Sequence, residues 1–446
     1  MNQTIEFLNE IDKVYQKKIP DNVMNRAKQS LLDYLAVTCA GAEFQKNKLE
    51  RYLEFTEPEK GNYKAIGLNL NLAMKEAVFL NGLNGHALDF DDGTNSGIIH
   101  LGSPIFSLLL PLAQKYHKTV DEMLRAVVIG YEASYTMAIS IQPIHKALGY
   151  HATGTCGILG TVIAASYMLD FTKEERFQAF ASASVAASGM LKVLDDGSEL
   201  KPYNVAKTSL LALTALCMSK AGFKGHFDSL GGRGFLKMMT GRDDIQLKSV
   251  LQNGTYAIMK TYTKPYASCR YTHPPVEAAI NLRNKFKLKP SDVERIDIKT
   301  YDLAVFGHNH TEIPGSYSAK MSTPYAVAVG LIYGRAGLQE FSEDMVKNPE
   351  VLELTKKVHV VPDEQLSNEF PDIQAAIETI TTKSGTFTER VDFPKGEPEN
   401  PLNEDEFKSR YDMLMIYSGI NNNISDSVYK MVTQCSVTVD EILKNL

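Results

Sequence analysis

The sequence contains no uninterrupted apolar stretch of the roughly 18 to 20 residues that cross a bilayer, so a membrane-spanning helix is not expected. It has no Cys-x-x-Cys pair. Its five cysteines, Cys39, Cys156, Cys217, Cys269 and Cys435, are odd in number and far apart, which argues against a disulfide framework or a zinc site. Reduced, mostly buried thiols are expected instead. It also lacks an excess of positive charge: the net charge is −6 and the basic residues are scattered, unlike the basic face of a nucleic-acid binder. The first twenty residues mix charges among short apolar pairs and lack the apolar centre of a signal peptide. These absences lead us to expect a soluble cytoplasmic protein with neither nucleic acid nor membrane as partner.

What is present is a chain of 446 residues, 44% hydrophobic, enough for a large core and for two domains. From residue 20 to about 225 apolar residues recur every three or four positions, as in helices packed on one another. Residues 22–40 and 71–90 read as amphipathic helices. Thr172-Lys173-Glu174-Glu175 reads as a capping box opening a helix whose Ala-rich run, 179–187, should be buried. Residues 209–221 read as a further helix stopped by Gly222. Near residue 260 the period changes: 293–298 and 357–361 alternate with period two, and 376–393 reads as two strands joined at Lys383-Ser384-Gly385. Residues 274–286 and 324–333 read as helices among these strands, 394–401 as a Pro/Gly-rich linker, and 403–417 and 437–446 as final helices. The expected fold is mainly α, with a large all-helical domain (1–262), a smaller α+β lid (263–397), and C-terminal helices (398–446) returning to the first domain.

The densest polar cluster is His86-Ala87-Leu88-Asp89-Phe90-Asp91-Asp92-Gly93-Thr94, followed by His100. Asp91 and Asp92 face the negative end of a helix dipole, a cost unless cations or donors compensate. A solvated acidic terminus, a catalytic site and a metal site are all open readings, although the spacing fits no known ligand motif. His151, Lys201 with Lys207, and Arg270 with His273 each lie ahead of a predicted helix, where an anionic ligand would account for them. Gly231-Gly232-Arg233-Gly234 reads as a turn, and His308-Asn309-His310 as an exposed loop.

Asn81-Gly82, the run from His86 to Asp92, and His100 with Gly102 resemble the signature of the MmgE/PrpD family. The resemblance continues through Leu32-Asp33-Tyr34-Leu35, Ala221-Gly222-Phe223-Lys224-Gly225, the stretch from Lys264 to His273, and that from Lys320 to Ala328, spanning about residues 20 to 410. It implies a helical domain with an α/β lid, a homodimer, an active site in the cleft between the domains, and catalysis without metal or other cofactor. It also implies a lyase that dehydrates or decarboxylates a citrate- or aconitate-like acid through proton transfer beside a carboxylate. The alternatives are an epimerase or isomerase of a dicarboxylate such as iminodisuccinate, and a non-catalytic carboxylate-binding protein. Carried over position by position, the catalytic residues are Asp89, His100, His151, Lys201 and His273. On this reading His151 or His100 is the base, His273 the acid or a carboxylate binder, Lys201 the cation, and Asp89 the group that orients a histidine. Thr94, Lys207, Arg270 and Tyr325 are the expected substrate contacts. Gly93, Leu101 and Val205-Ala206-Lys207-Thr208-Ser209 depart from the family pattern, so they bear on which substrate is taken.

Overall fold

A computed structural model describes residues 2–192 and 198–446. The chain divides into two compact units: Met1–Leu191, Leu200–Thr261 and Glu404–Leu446 form the first, Lys192–Glu199 and Tyr262–Asn403 the second.

The first unit is built around helix Ala152–Met168, every residue of which is buried, as befits a helix that is apolar all round. It packs against Val120–Ile141, Lys201–Lys220, Lys173–Ala186 and Gly102–Lys115. Small residues set these distances: a Cβ on Gly160 would fall 1.9 Å from Ser134 Oγ and 2.3 Å from the carbonyl oxygen of Gly130. The capping box at Thr172 forms as read, with Thr172 and Glu175 satisfying each other's backbone N–H groups. The helix it opens is less buried than expected, for Val185 is 89% exposed near its end.

The first unit is not purely helical. Strand β1 (Lys60–Ala65) pairs antiparallel with β2 (Leu70–Leu72), so the helix expected over 71–90 begins only at Met74. Asn81 closes this corner, accepting the Ile66 N–H at 2.8 Å. The helix expected from 209 begins earlier, at Lys201, with Pro202 in its first turn where a missing N–H costs nothing. Helix Glu404–Tyr417 packs on Asp21–Phe44, where Arg410 forms a buried ion pair with Asp33. Burial pushes the Asp33 carboxyl up and the Arg410 guanidinium down, so each relies on the other for its charge. Arg410 also donates to the carbonyl oxygen of Phe90 at 2.8 Å, tying the C-terminal helix to the acidic loop.

The second unit holds a four-stranded sheet in the order β4-β3-β5-β6: β3 (Val293–Thr300), β4 (Val358–Pro362), β5 (Ala376–Thr382) and β6 (Gly385–Val391). β3 runs parallel to β4 and antiparallel to β5, and β5 and β6 form the expected hairpin. Helix His273–Phe286 covers β5 and β6, with the Phe286 and Phe387 rings 4.6 Å apart, and helix Thr323–Tyr333 packs on it. The expected linker at 394–401 is stitched into this unit. The Thr263 N–H donates to the Gly396 carbonyl at 2.8 Å, and buried Glu397 pairs with Arg270. His308-Asn309-His310 is a loop as expected, but of the three only Asn309 is exposed: His308 is buried with Nδ1 2.8 Å from the Met321 carbonyl, and His310 Nε2 lies 3.1 Å from the Ser318 carbonyl. Of the five thiols, Cys39 and Cys156 are buried while Cys217 is exposed.

Glu378 stands on the covered face of β5 and opposite Glu389 of β6. It is wholly buried, and neither carboxylate oxygen has a hydrogen-bond partner among the described residues. Burial, then the neighbouring Glu389, holds its carboxyl well above the usual range, so the folded protein favours its neutral acid. This stability is fully present below the unfolded value of about 4.3 and is lost as pH rises through the folded value. Glu378→Gln should therefore melt higher than the parent at pH 8, with the difference shrinking at pH 5. Parallel melting curves at both pH values would contradict this account.

Candidate active site

The site begins where helix Met74–His86 stops. Asp89 takes a left-handed backbone conformation (φ 51°), which aspartate tolerates better than most residues. The chain turns there and carries Asp89, Asp91 and Asp92 inward rather than into solvent, at 5%, 2% and 5% exposure. The solvated-terminus reading therefore fails. Each carboxylate has its own compensation. Asp92 accepts the Gly102 N–H at 2.9 Å, at the positive end of helix Gly102–Lys115, and the Tyr131 hydroxyl at 2.7 Å. Burial outweighs these bonds and pushes its carboxyl up to about 6.

Asp91 lies between two imidazoles. His86 Nδ1 is 2.9 Å from both of its oxygens, Ser103 Oγ donates at 2.6 Å, and His100 Nδ1 stands 3.3 Å away. Burial opposes the charge of Asp91, but His100 and His86 overcome it and hold the carboxyl well below the usual range. His86 is pulled down by burial against the attraction of Asp91, so it serves as a neutral ring donating Nδ1–H. The third carboxylate, Asp89, accepts from Lys201 Nζ at 2.8 Å and lies 3.6 Å from His100 Nε2.

Lys201 opens helix Lys201–Lys220, where the dipole repels its charge, and Asp89 offsets that repulsion. His151 precedes helix Ala152–Met168, and its backbone N–H donates to the Gly189 carbonyl at 3.3 Å. Its ring centre is 6.0 Å from that of His86, and the His86 and His100 rings are 4.5 Å apart, edge to face. Burial, then the nearby Lys201 charge, drives His151 well below the usual histidine value, so its ring is neutral at pH 7. His151 Nδ1, His86 Nε2 and His100 Nδ1 are buried and have no hydrogen-bond partner among the described residues, the last facing Asp91 at 3.3 Å. An unmet buried nitrogen costs about 1–3 kcal/mol, so three of them beside one ammonium mark a place prepared for a polar ligand.

The structure thus brings together Asp89, His100, His151 and Lys201 within the first unit. Asp89, expected to orient a histidine, lies 3.6 Å from His100 Nε2 and is bonded to Lys201, while Asp91 makes the shorter contact with a ring, at 2.9 Å to His86 Nδ1. Thr94 is buried near this cluster's loop, its N–H bonded to the Ile99 carbonyl at 3.0 Å. Lys207 lies inside the helix rather than ahead of it, donates to Ser188 Oγ at 3.1 Å, and is pulled down by burial. The other three expected residues belong to the second unit. His273 is the first residue of its helix, buried, with Nε2 3.3 Å from the Ser268 carbonyl. Arg270 is buried against Glu397, and Tyr325 is buried with its hydroxyl donating to the Glu340 carbonyl at 2.8 Å. Those bonds commit the Arg270 charge and the Tyr325 hydroxyl to the core of that unit.

His86, Asp89, Asp91 and His100 bring donor atoms within 4.8 Å of one another, the crowding a cation site requires. Their contacts instead form a hydrogen-bonded network with its own cation, Lys201, on Asp89. A divalent ion there would have to displace that ammonium or bear its repulsion.

The MmgE/PrpD N-terminal domain matches residues 7–248, and the MmgE/PrpD C-terminal domain matches residues 266–419. The chain belongs to the MmgE/PrpD family. It is similar to cis-aconitate decarboxylase of Aspergillus terreus, 26% identical over 414 residues that cover 86% of this chain and 84% of that protein. The cis-aconitate decarboxylase of Mus musculus is 24% identical over 96% of this chain and 88% of its own, and that of Homo sapiens 22% identical over 88% and 83%. These MmgE/PrpD relatives are lyases by name. Sequence reading had carried over Asp89, His100, His151 and Lys201 but not the supporting group of His86, Asp91, Asp92 and Ser103. The signal was the pair of acids, Asp91 and Asp92, one residue beyond Asp89 and the serine directly after Gly102.

Gly102 is where this support is tightest, since a Cβ there would lie 2.5 Å from the Tyr131 hydroxyl and 3.0 Å from Asp92 Oδ1. Gly102→Ala should cost about 1–3 kcal/mol of stability by overpacking. Its turnover should also fall, because the loop and helix start that carry His100 must shift. Unaltered melting temperature and unaltered turnover would show that the loop has room the structure does not.

Proposed function

We propose that this MmgE/PrpD chain is a lyase of a small polycarboxylic acid, with decarboxylation of a cis-aconitate-like acid as the leading reaction. The observation that carries the reading is one ammonium, Lys201, bonded to Asp89 beside three buried histidines, His86, His100 and His151, each with a ring nitrogen that has no hydrogen-bond partner among the described residues. Decarboxylation breaks a bond from carbon to carboxylate, releases carbon dioxide and leaves an electron pair that a proton must quench. Dehydration removes a proton beside a carboxylate and expels hydroxide. Each builds charge on a neighbouring carboxylate, which a fixed cation stabilises most when water is excluded. Each also needs a group that takes or gives a proton near neutral pH, which neutral imidazoles provide. In this reading Lys201 meets a substrate carboxylate, and His151 and His100 exchange protons with carbon or oxygen. The names of the relatives support the decarboxylase branch, while proton removal beside a carboxylate, the first step of dehydration, would also serve an epimerase.

The branches separate in heavy water. Wild-type protein incubated with cis-aconitate and a chelator should release carbon dioxide and yield product with one solvent deuterium on carbon. Epimerisation would place deuterium at an inverted centre, and reversible dehydration at the carbon next to the one losing hydroxide. Lys201→Ala should weaken polycarboxylate binding by about tenfold to a hundredfold, the value of one charge-assisted contact. Tight binding with neither exchange nor turnover between pH 6 and 9 would make the chain a carboxylate-binding protein instead.

A further inference from the structure

We propose that Asp91 is the positioning residue of this site, holding the His86 and His100 rings so that each turns its Nε2 edge away from the carboxylate and toward proton transfer. The proposal rests on the proton-transfer reading above and adds which acid supports it. Three buried carboxylates stand near these rings, and their partners tell them apart. Asp89 is taken by Lys201, and Asp92 by the Gly102 N–H and the Tyr131 hydroxyl. Asp91 holds His86 Nδ1 at 2.9 Å and faces His100 Nδ1 at 3.3 Å, without a hydrogen bond to it, and Ser103 Oγ at 2.6 Å fixes its orientation; the Nε2 edge of His100 lies 3.6 Å from Asp89, the longer of its two carboxylate contacts.

An ionised carboxylate accepts only, so an imidazole facing it through Nδ1 carries its proton there and leaves Nε2 as the acceptor. His86 meets this condition in the resting protein. His100 Nδ1 stands 3.3 Å from Asp91 without a hydrogen bond, and the contact tightens when the ring takes a second proton. In the dehydrating or epimerising branch that proton comes from carbon, so a carbon–hydrogen bond breaks and an Nε2–H bond forms; in the decarboxylating branch the protonated ring gives it to the carbon that has lost carbon dioxide. The electron pair left on carbon spreads into the substrate carboxylate held by Lys201. Asp91 faces the new imidazolium across Nδ1–H and keeps its own negative charge, the part played by the buried aspartate in a serine-protease triad. The low affinity of Asp91 for a proton agrees with this.

The test uses nitrogen-15 NMR of the histidine rings together with kinetics. In the ligand-free wild type, His86 should show a protonated Nδ1 and a bare Nε2; the reverse tautomer overturns the proposal whatever any variant does. In Asp91→Asn an NH2 donor replaces one carboxylate oxygen, and since both oxygens lie 2.9 Å from His86 Nδ1 that ring meets a donor, so at least one of His86 and His100 should change tautomer or mix tautomers. Turnover should fall by about a hundredfold to ten-thousandfold while KM moves less than about threefold. Retained tautomers in both rings, or a fall in turnover of less than about threefold, overturn the proposal. If wild-type protein shows neither turnover nor exchange, the functional reading fails on its own. The NMR result then decides the role of Asp91, with altered tautomers upholding it and unaltered ones refuting it.

Discussion

A carboxylate removed from water must be matched by donors or cations, and this fold packs three of them, Asp89, Asp91 and Asp92, at the end of one helix. Much of the surrounding structure answers that requirement. The next helix starts at Gly102 and offers its N–H to Asp92, which leaves no room for a side chain. Ser103 of that same helix and Tyr131 of helix Val120–Ile141 contribute hydroxyls, and Lys201 brings its ammonium from a third helix. Arg410, neutralised by Asp33, supports the Phe90 carbonyl from the C-terminal helix. Elements far apart in sequence therefore converge on a loop of four residues.

The matching is uneven, and the unevenness makes the site chemically useful. Asp91 is held ionised by two imidazoles, Asp92 is pushed up to about 6, and Asp89 is bound to a lysine. Burial and the nearby Lys201 charge keep His151 and His86 neutral, the form that accepts a proton. Arrival of a polyanion would oppose the Lys201 field that depresses His151, so binding and proton uptake are linked through the same charges.

How far the sequence foretold this depends on the range of the interaction. The Thr172 capping box is a four-residue device, and it forms as read. Period-two alternation located β3 to β6 because one face of that sheet is apolar. The β1–β2 hairpin escaped notice because Lys60, Asn62 and Lys64 interrupt any apolar alternation, and the pairing depends on Asn81 of a helix. The stretch at 394–401 has linker composition, yet Glu397 is fixed by Arg270, more than a hundred residues away. The four residues at the centre of the site were readable from the family pattern. The role of Asp91 was not, since five residues from His86 matches neither helix nor strand period and requires the left-handed turn at Asp89.

Lys201 and the ring nitrogens of His151 and His86 that have no partner among the described residues are held to form the place where a substrate carboxylate binds. A crystal structure of the protein with a saturated tricarboxylate, which cannot react, tests it most directly. The account predicts one ligand carboxylate within about 3.2 Å of Lys201 Nζ and a ligand oxygen at similar distance from His151 Nδ1. A ligand bound elsewhere, with Lys201 still donating to Asp89 and His151 Nδ1 still unmet, would contradict it.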